Sequence, residues 1–248
     1  MYPRPQLKRE SFFLLNGQWD FAFDDENIEV LEGWSHTVRG DRKINVPFTY
    51  ETGKSGIGDE RPHGVIWYWK NITITNEFKK DQSIQINFEG CDYHLDLWVN
   101  GVYKGSHDGA YTRFAFELGK FAEGEEVLLS IRVEDPHSEE QVRGKQRWLS
   151  DNYGCWYVQT TGIWKDVWLE QVSDDYVEKI KITPDIYKKT VTIHTMCHSN
   201  KENLIMKSDV YFEGKFINSV SGKLEAGVCQ MDIDVYNKYV GEWGIELW

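Results

Sequence analysis

Between Gln146 and Trp156 the chain gathers Gln146, Arg147, Trp148, Asp151, Asn152 and Trp156. Saccharide recognition uses this mixture, because sugar C–H faces pack on aromatic rings while hydroxyls need amides, carboxylates and guanidiniums for paired hydrogen bonds. Gln146, Trp148, Asp151 and Trp156 are the sugar-binding candidates. The competing reading is packing, since most large aromatics are buried for that reason alone. A second loop, Glu51 to Gly64, carries four glycines and Pro62. Connections of that length are usually functional or mobile, so it is placed to line the same site from the other side; an ordinary solvated connection fits it as well.

Other chemistry finds less support. His194, Cys197 and His198 fall in an alternating, strand-like stretch, where the two histidines would stand ~13 Å apart, too far for one metal ion. Cys155 has no histidine near it in sequence and reads as a small thiol rather than a nucleophile. The chain has 40 carboxylates, yet no spacing picks out two at the separation glycoside hydrolysis needs. No phosphate loop, dinucleotide fingerprint or nucleophile elbow occurs. No catalytic residue, metal ligand or cofactor is assigned.

The elements that must hold the candidate loop alternate with a period of two. Gln18–Asp24 sets Trp19, Phe21 and Phe23 against Asp20, Ala22 and Asp24. Ile44–Pro47, Trp67–Thr75, Ser83–Phe88, Tyr93–Val99, Tyr111–Leu118 and Val127–Val133 read as further strands. Asn100-Gly101 marks a tight hairpin, since both central residues of its turn need positive φ. Thr161–Glu170 reads as one strand, with Ile163, Val167 and Leu169 on one face and Trp164, Asp166, Trp168 and Glu170 on the other. About eight strands with regular turn spacing and no helical period predict an all-β sandwich or barrel. After Glu170 tryptophan is absent as far as Glu242 and lysine becomes frequent. Val177–Thr183, Thr190–Cys197, Leu204–Phe212 and Gln230–Val235 then predict a second, smaller sandwich. The expected domains are 1–172 and 173–248.

Totals set the outer bounds. The 248 residues are 40% hydrophobic and 15% aromatic, with a net charge of -12. That acidity speaks against a nucleic-acid partner, and no apolar run reaches the ~18 residues of a membrane helix. The charged, proline-broken N-terminus lacks an export signal, so a cytoplasmic location is expected. Cys91, Cys155, Cys197 and Cys229 show no paired spacing and are expected to be free thiols.

Several stretches, in order, resemble a known family. These are Tyr2-Pro3-Arg4-Pro5, Leu15-Asn16-Gly17-Gln18-Trp19-Asp20-Phe21, Val46-Pro47-Phe48, Ser55-Gly56-Ile57-Gly58 and Trp67-Tyr68. Phe88-Glu89-Gly90, Trp98-Val99-Asn100-Gly101, Thr161-Gly162-Ile163-Trp164 and Val167-Trp168-Leu169-Glu170 follow. The set resembles the N-terminal region of glycoside hydrolase family 2, the β-galactosidases, β-glucuronidases and β-mannosidases. The resemblance implies a jelly-roll sugar-binding domain over 1–172 and an immunoglobulin-like sandwich over 173–248, the second stopping short of its last strands. It implies that the catalytic glutamates lie on a barrel domain outside these residues, so this chain alone is expected to be inactive. The loop before Thr161 and the Glu51–Gly64 loop would then help shape the sugar subsite of the whole enzyme. The family's sugar-contacting aspartate before this strand lacks a clear match: Asp151 is offset, and Trp156 lies nearer the position. Expected partners are the carbohydrate substrate, the enzyme's own barrel and a second copy of the chain. The alternative is a free-standing carbohydrate-binding module.

Overall fold

The computed structural model describes residues 4–28, 33–136 and 140–235. It is all-β and divides into two compact units, Arg9–Gln171 and a second made of the N-terminal stretch to Lys8 together with the chain from Val172 onward.

The first unit contains β1 (Phe12–Leu14), β2 (Gly17–Phe23), β3 (Arg42–Val46), β4 (Val65–Thr73), β5 (Ser83–Phe88) and β6 (Cys91–Asp92). It continues with β7 (His94–Val99), β8 (Val102–Asp108), β9 (Phe114–Gly119), β10 (Glu126–Glu134), β11 (Gly162–Ile163) and β12 (Val167–Val172). A six-stranded sheet runs β3-β2-β4-β10-β7-β8, a four-stranded sheet runs β1-β12-β5-β9, and β11 pairs with β6. All described pairings within it are antiparallel. The result is a jelly-roll sandwich.

Alternation explains its core. Trp19 and Phe21 of β2, Leu95, Leu97 and Val99 of β7, and Val127, Leu129, Ile131 and Val133 of β10 are all buried in one cluster. Asn100 and Gly101 close the β7–β8 hairpin at φ 49° and 78°, the positive values such a turn requires. The six-stranded sheet is also covered on its outer face. Trp34 packs with Trp67 and Trp69 there, and its carbonyl accepts the Trp69 Nε1–H at 2.8 Å.

Two expectations need correction. Thr161–Glu170 is not one strand: β11 and β12 are separated by Trp164–Asp166. The interruption has a local cause, since Trp164 turns aside to give its indole N–H to the Ala110 carbonyl at 2.9 Å, and β11 pairs with β6 while β12 pairs with β1. Both faces of β12 are buried. Trp168 and Glu170 are as buried as Val167 and Leu169, because Arg9 approaches Glu170 at 3.7 Å and the Arg113 guanidinium lies over the Trp168 ring. The strand expected from Tyr111 starts only at Phe114, and Gly109–Arg113 is a loop.

The second unit holds β13 (Tyr176–Asp185), β14 (Thr190–His198), β15 (Ile205–Phe212), β16 (Lys215–Lys223) and β17 (Val228–Asp234). β13-β14-β17 form one sheet and β15-β16 another, an immunoglobulin-like layering whose buried positions are Ile193, Thr195, Cys229, Met231 and Ile233. β16 carries no clear alternation, so the sequence does not mark it as a strand. In this unit Arg4 donates to the Glu178 carbonyl at 2.6 Å, tying the N-terminal stretch to β13.

Candidate functional site

The predicted loop is a compact knot. The Arg147 N–H donates to the Tyr157 carbonyl at 2.6 Å, Tyr157 N–H to Lys145 at 2.9 Å, and Trp156 N–H to Tyr153 at 2.9 Å. These bonds fold the two arms of the loop together and bring its rings into contact. Trp148 meets Trp156 edge-on at 4.8 Å and Tyr153 at 5.6 Å. Trp148 and Trp156 are half-buried, so each keeps part of its surface toward solvent. Asp151 is exposed on the same loop and accepts from the Ser150 hydroxyl at 3.1 Å.

Gln146 sits differently. Its Nε2 donates to Asp92 Oδ2 at 2.7 Å and its Oε1 accepts the Thr160 N–H at 2.7 Å. Both ends of the amide face protein, so its visible work is to fasten the loop to β6. Arg147, 5% exposed, does the same toward the Glu51–Gly64 loop. It reaches Gln159 Oε1 at 3.1 Å, Asn152 Oδ1 at 3.0 Å and the Glu60 carbonyl at 2.9 Å, and Gln159 donates to that same carbonyl at 2.9 Å. The two loops expected to flank one site are therefore joined through Arg147 and Gln159.

The Glu51–Gly64 loop is itself ordered by side chains. Gly53–Ser55 forms a short 3₁₀ turn, and the Tyr50 carbonyl accepts the Gly58 and Asp59 N–H groups. His63 is buried and stacks on Phe23 at 3.6 Å. Its Nδ1 lies 2.9 Å from Asp25 and its Nε2 3.5 Å from Asp59.

Behind the knot lie three buried carboxyl groups that sequence reasoning did not connect: Glu51, Asp92 and Asp135. Glu51 Oε1 accepts the Thr161 N–H at 3.0 Å, and Asp135 Oδ2 accepts the Thr161 hydroxyl at 2.7 Å. Asp135 Oδ1 also accepts from Gln141, and Arg143 lies 3.8 Å from it. Burial pushes the Glu51 carboxyl up to about 7, against the pull of hydrogen bonds from Thr49 and Thr161. Asp92 is likewise pushed up to about 7, first by burial and then by the charge of Asp135, with Gln146 and Arg143 opposing. Buried carboxyls rise because the ionised form loses hydration. Burial also raises the Tyr68 phenol and the Cys91 thiol well above their ordinary values. Nothing in the sequence links these acids, which sit 41 and 43 positions apart and meet only through β6, β10 and the turn after β3.

All four cysteines are free. Among the described residues no group of three or more His, Cys, Asp or Glu could hold a metal ion, and no helix is long and apolar enough to cross a membrane.

The first unit is a jelly-roll sandwich whose two loops, joined through Arg147 and Gln159, carry an aromatic knot. The family described as glycosyl hydrolases family 2, sugar binding domain, matches residues 12–173, and the chain belongs to that family. Among curated relatives, a β-galactosidase of Thermoanaerobacterium thermosulfurigenes is 27% identical over 212 residues, covering 84% of this chain and 28% of that protein. A β-glucuronidase of Paenibacillus borealis is 23% identical over 246 residues, covering 94% and 41%. Among solved structures, Bifidobacterium dentium β-glucuronidase complexed with coumarin-3-O-glucuronide superposes with a TM-score of 0.72 at 17% identity, covering 91% of this chain and 42% of that one. The apo β-glucuronidase of Ruminococcus gnavus gives 0.68 at 16%, covering 96% and 41%; at such identity the likeness concerns the fold. The chain spans 28% and 41% of the length of these two curated relatives.

Proposed function

We propose that this chain is the non-catalytic N-terminal region of a family 2 glycosidase acting on β-galactosides or β-glucuronides in the cytoplasm. In this reading residues 1–172 are its sugar-binding domain and 173–248 its immunoglobulin-like domain, and the catalytic carboxylates lie on a barrel domain of the same protein. The observation that carries it is the knot of Trp148, Tyr153 and Trp156, half-exposed rings held by Arg147 and Gln146. Half-exposed rings on a rigid base suit the C–H face of a sugar. Sugar contact then falls to Trp148 and Trp156 with Asp151 beside them, while Gln146 supports from behind. The four free thiols support the compartment.

The test compares this chain with the product of the whole gene on chromogenic β-galactosides and β-glucuronides. Hydrolysis by the long product and none by residues 1–248 is expected. A gene that encodes no barrel-sized continuation, or a long product silent on both substrate classes, would sink the reading. Calorimetry separates the alternative of a self-sufficient binding module: saturable sugar binding by residues 1–248 alone would favour that module, and silence is expected.

A further inference from the structure

The three buried carboxyls behind the aromatic knot do more than fill space. They come from three places in the first unit: Glu51 after β3, Asp92 in β6, and Asp135 just past β10. Each touches the 140–161 segment through a side chain or an N–H on that segment. Thr161 bonds Glu51 and Asp135, Gln146 bonds Asp92, and Gln141 and Arg143 reach Asp135. The backbone bonds named above for Lys145–Tyr157 instead close the knot upon itself. The knot is thus fastened to the sandwich through this cluster and through Arg147 and Gln159 on Glu60.

The geometry points to a proton-dependent latch: Glu51, Asp92 and Asp135, faced by Arg143, clasp the aromatic knot while Glu51 and Asp92 keep their protons, and release it as those protons leave.

The groups facing the cluster support this direction. Glu51 is faced by the Tyr50 and Tyr68 phenols and by Thr161. Asp92 is faced by the Cys91 thiol, by Asp135, and by Gln146 and Arg143 from the loop. Arg143 is placed against Asp135 and also donates to the Pro136 carbonyl at 3.0 Å. Negative charge added at Asp92 therefore meets the charge of Asp135, with Arg143 the cation facing the pair, and negative charge added at Glu51 falls in a buried site between two phenols. Glu51 Oε2 is buried without a hydrogen-bond partner among the described residues. That is tolerable for a neutral carboxyl and costly for an ion. Ionisation is relieved by admitting water, and the side-chain-fastened segment is the part able to yield. Both carboxyls lie near neutral pH in their proton affinity, so the latch would operate across the physiological range.

The proposal deepens the sugar-loop reading and rests on it only for its biological consequence. It is tested by amide hydrogen exchange on residues 1–248, followed by mass spectrometry from pH 5.5 to 8.5 and corrected for intrinsic chemical rates. Protection of peptides covering 143–161 is expected to fall by about tenfold or more between pH 6 and 8, since one pK unit of linkage is a factor of ten. Peptides from β10 should hold constant. Asp92→Asn and Glu51→Gln, tested separately, should each flatten the profile. A flat wild-type profile overturns the latch, and so does an undiminished fall in both variants. If one variant fails to fold, the wild-type series and the other variant still decide. No sugar is present, so a flat profile leaves the sugar reading standing. Loss of the sugar reading through Trp148 or Trp156 leaves the latch intact.

Discussion

Gly162→Ala should destabilise the first unit through one identifiable collision. Gly162 has φ +89°, and a Cβ placed on it would sit 2.1 Å from the Tyr68 hydroxyl and 2.9 Å from Ile66 Cδ1. Tyr68 is fully buried, and its oxygen accepts the Ile163 N–H at 3.3 Å, so the ring has nowhere to retreat. The left-handed conformation costs a non-glycine residue roughly 1–2 kcal/mol, and forcing extra volume into a packed core adds about 1–3 kcal/mol. Together these predict a loss of roughly 3–4 kcal/mol, on the order of 10 °C in melting temperature for a unit of this size. Tyr68→Phe alone should cost about 1 kcal/mol, because the Ile163 N–H loses its acceptor. In the double variant the colliding oxygen is gone, so Gly162→Ala should cost roughly 1–2 kcal/mol less than it does in the parent. Urea unfolding followed by tryptophan fluorescence reads this unit well, because nine of the eleven tryptophans lie between Trp19 and Trp168. If the two substitutions add within about 0.5 kcal/mol, the collision does not govern this position.

Three further outcomes follow from the same contacts. The Glu51 carboxyl has a raised proton affinity in the fold, so its contribution to stability is full below about 4.5 and is lost as pH rises through about 7. Glu51→Gln should therefore gain roughly 2–3 kcal/mol on the parent between pH 5 and pH 8, and parallel stability curves in urea melts would exclude this. In the whole enzyme, Trp148→Ala or Trp156→Ala should raise KM about tenfold, equivalent to roughly 1–1.5 kcal/mol of lost aromatic contact; unchanged steady-state kinetics in both would remove the knot from the sugar subsite. Residues 1–248 should self-associate through the second unit, whose Ile205, Tyr211 and Phe216 are 74%, 61% and 53% exposed, and light scattering showing a monomer at high concentration would refute it.

Much of the sandwich was legible because burial on one side forces a two-residue period. The inward sets of β7 and β10 needed only alternation, and the residue types of Asn100-Gly101 marked the turn between β7 and β8. The pattern failed where a strand is buried on both faces or broken by one side chain. β12 looks amphipathic, yet Arg9 and Arg113 cover its polar face. Trp164 fits the alternation, yet its indole bond to Ala110 interrupts the strand. β16, with Asn218, Ser219 and Ser221 along it, gave no periodic signal.

The candidate site divides in the same way. Composition marked Gln146, Trp148, Asp151 and Trp156, because aromatic and amide residues stand out locally, and it marked the Glu51–Gly64 loop by its glycines. What each residue does depended on contacts across the fold. Gln146 became a fastening because Asp92 and Thr160 stand at both ends of its amide. Glu51, Asp92 and Asp135 meet through strands distant in sequence, and their proton affinities arise from burial and mutual charge. The sequence by itself determined the all-β class, the family and the position of the aromatic knot, since periodicity and local composition are properties of neighbouring residues. Only the tertiary structure decided which side chains hold that knot and which carboxyls are buried, because desolvation and charge depend on residues that folding alone brings together.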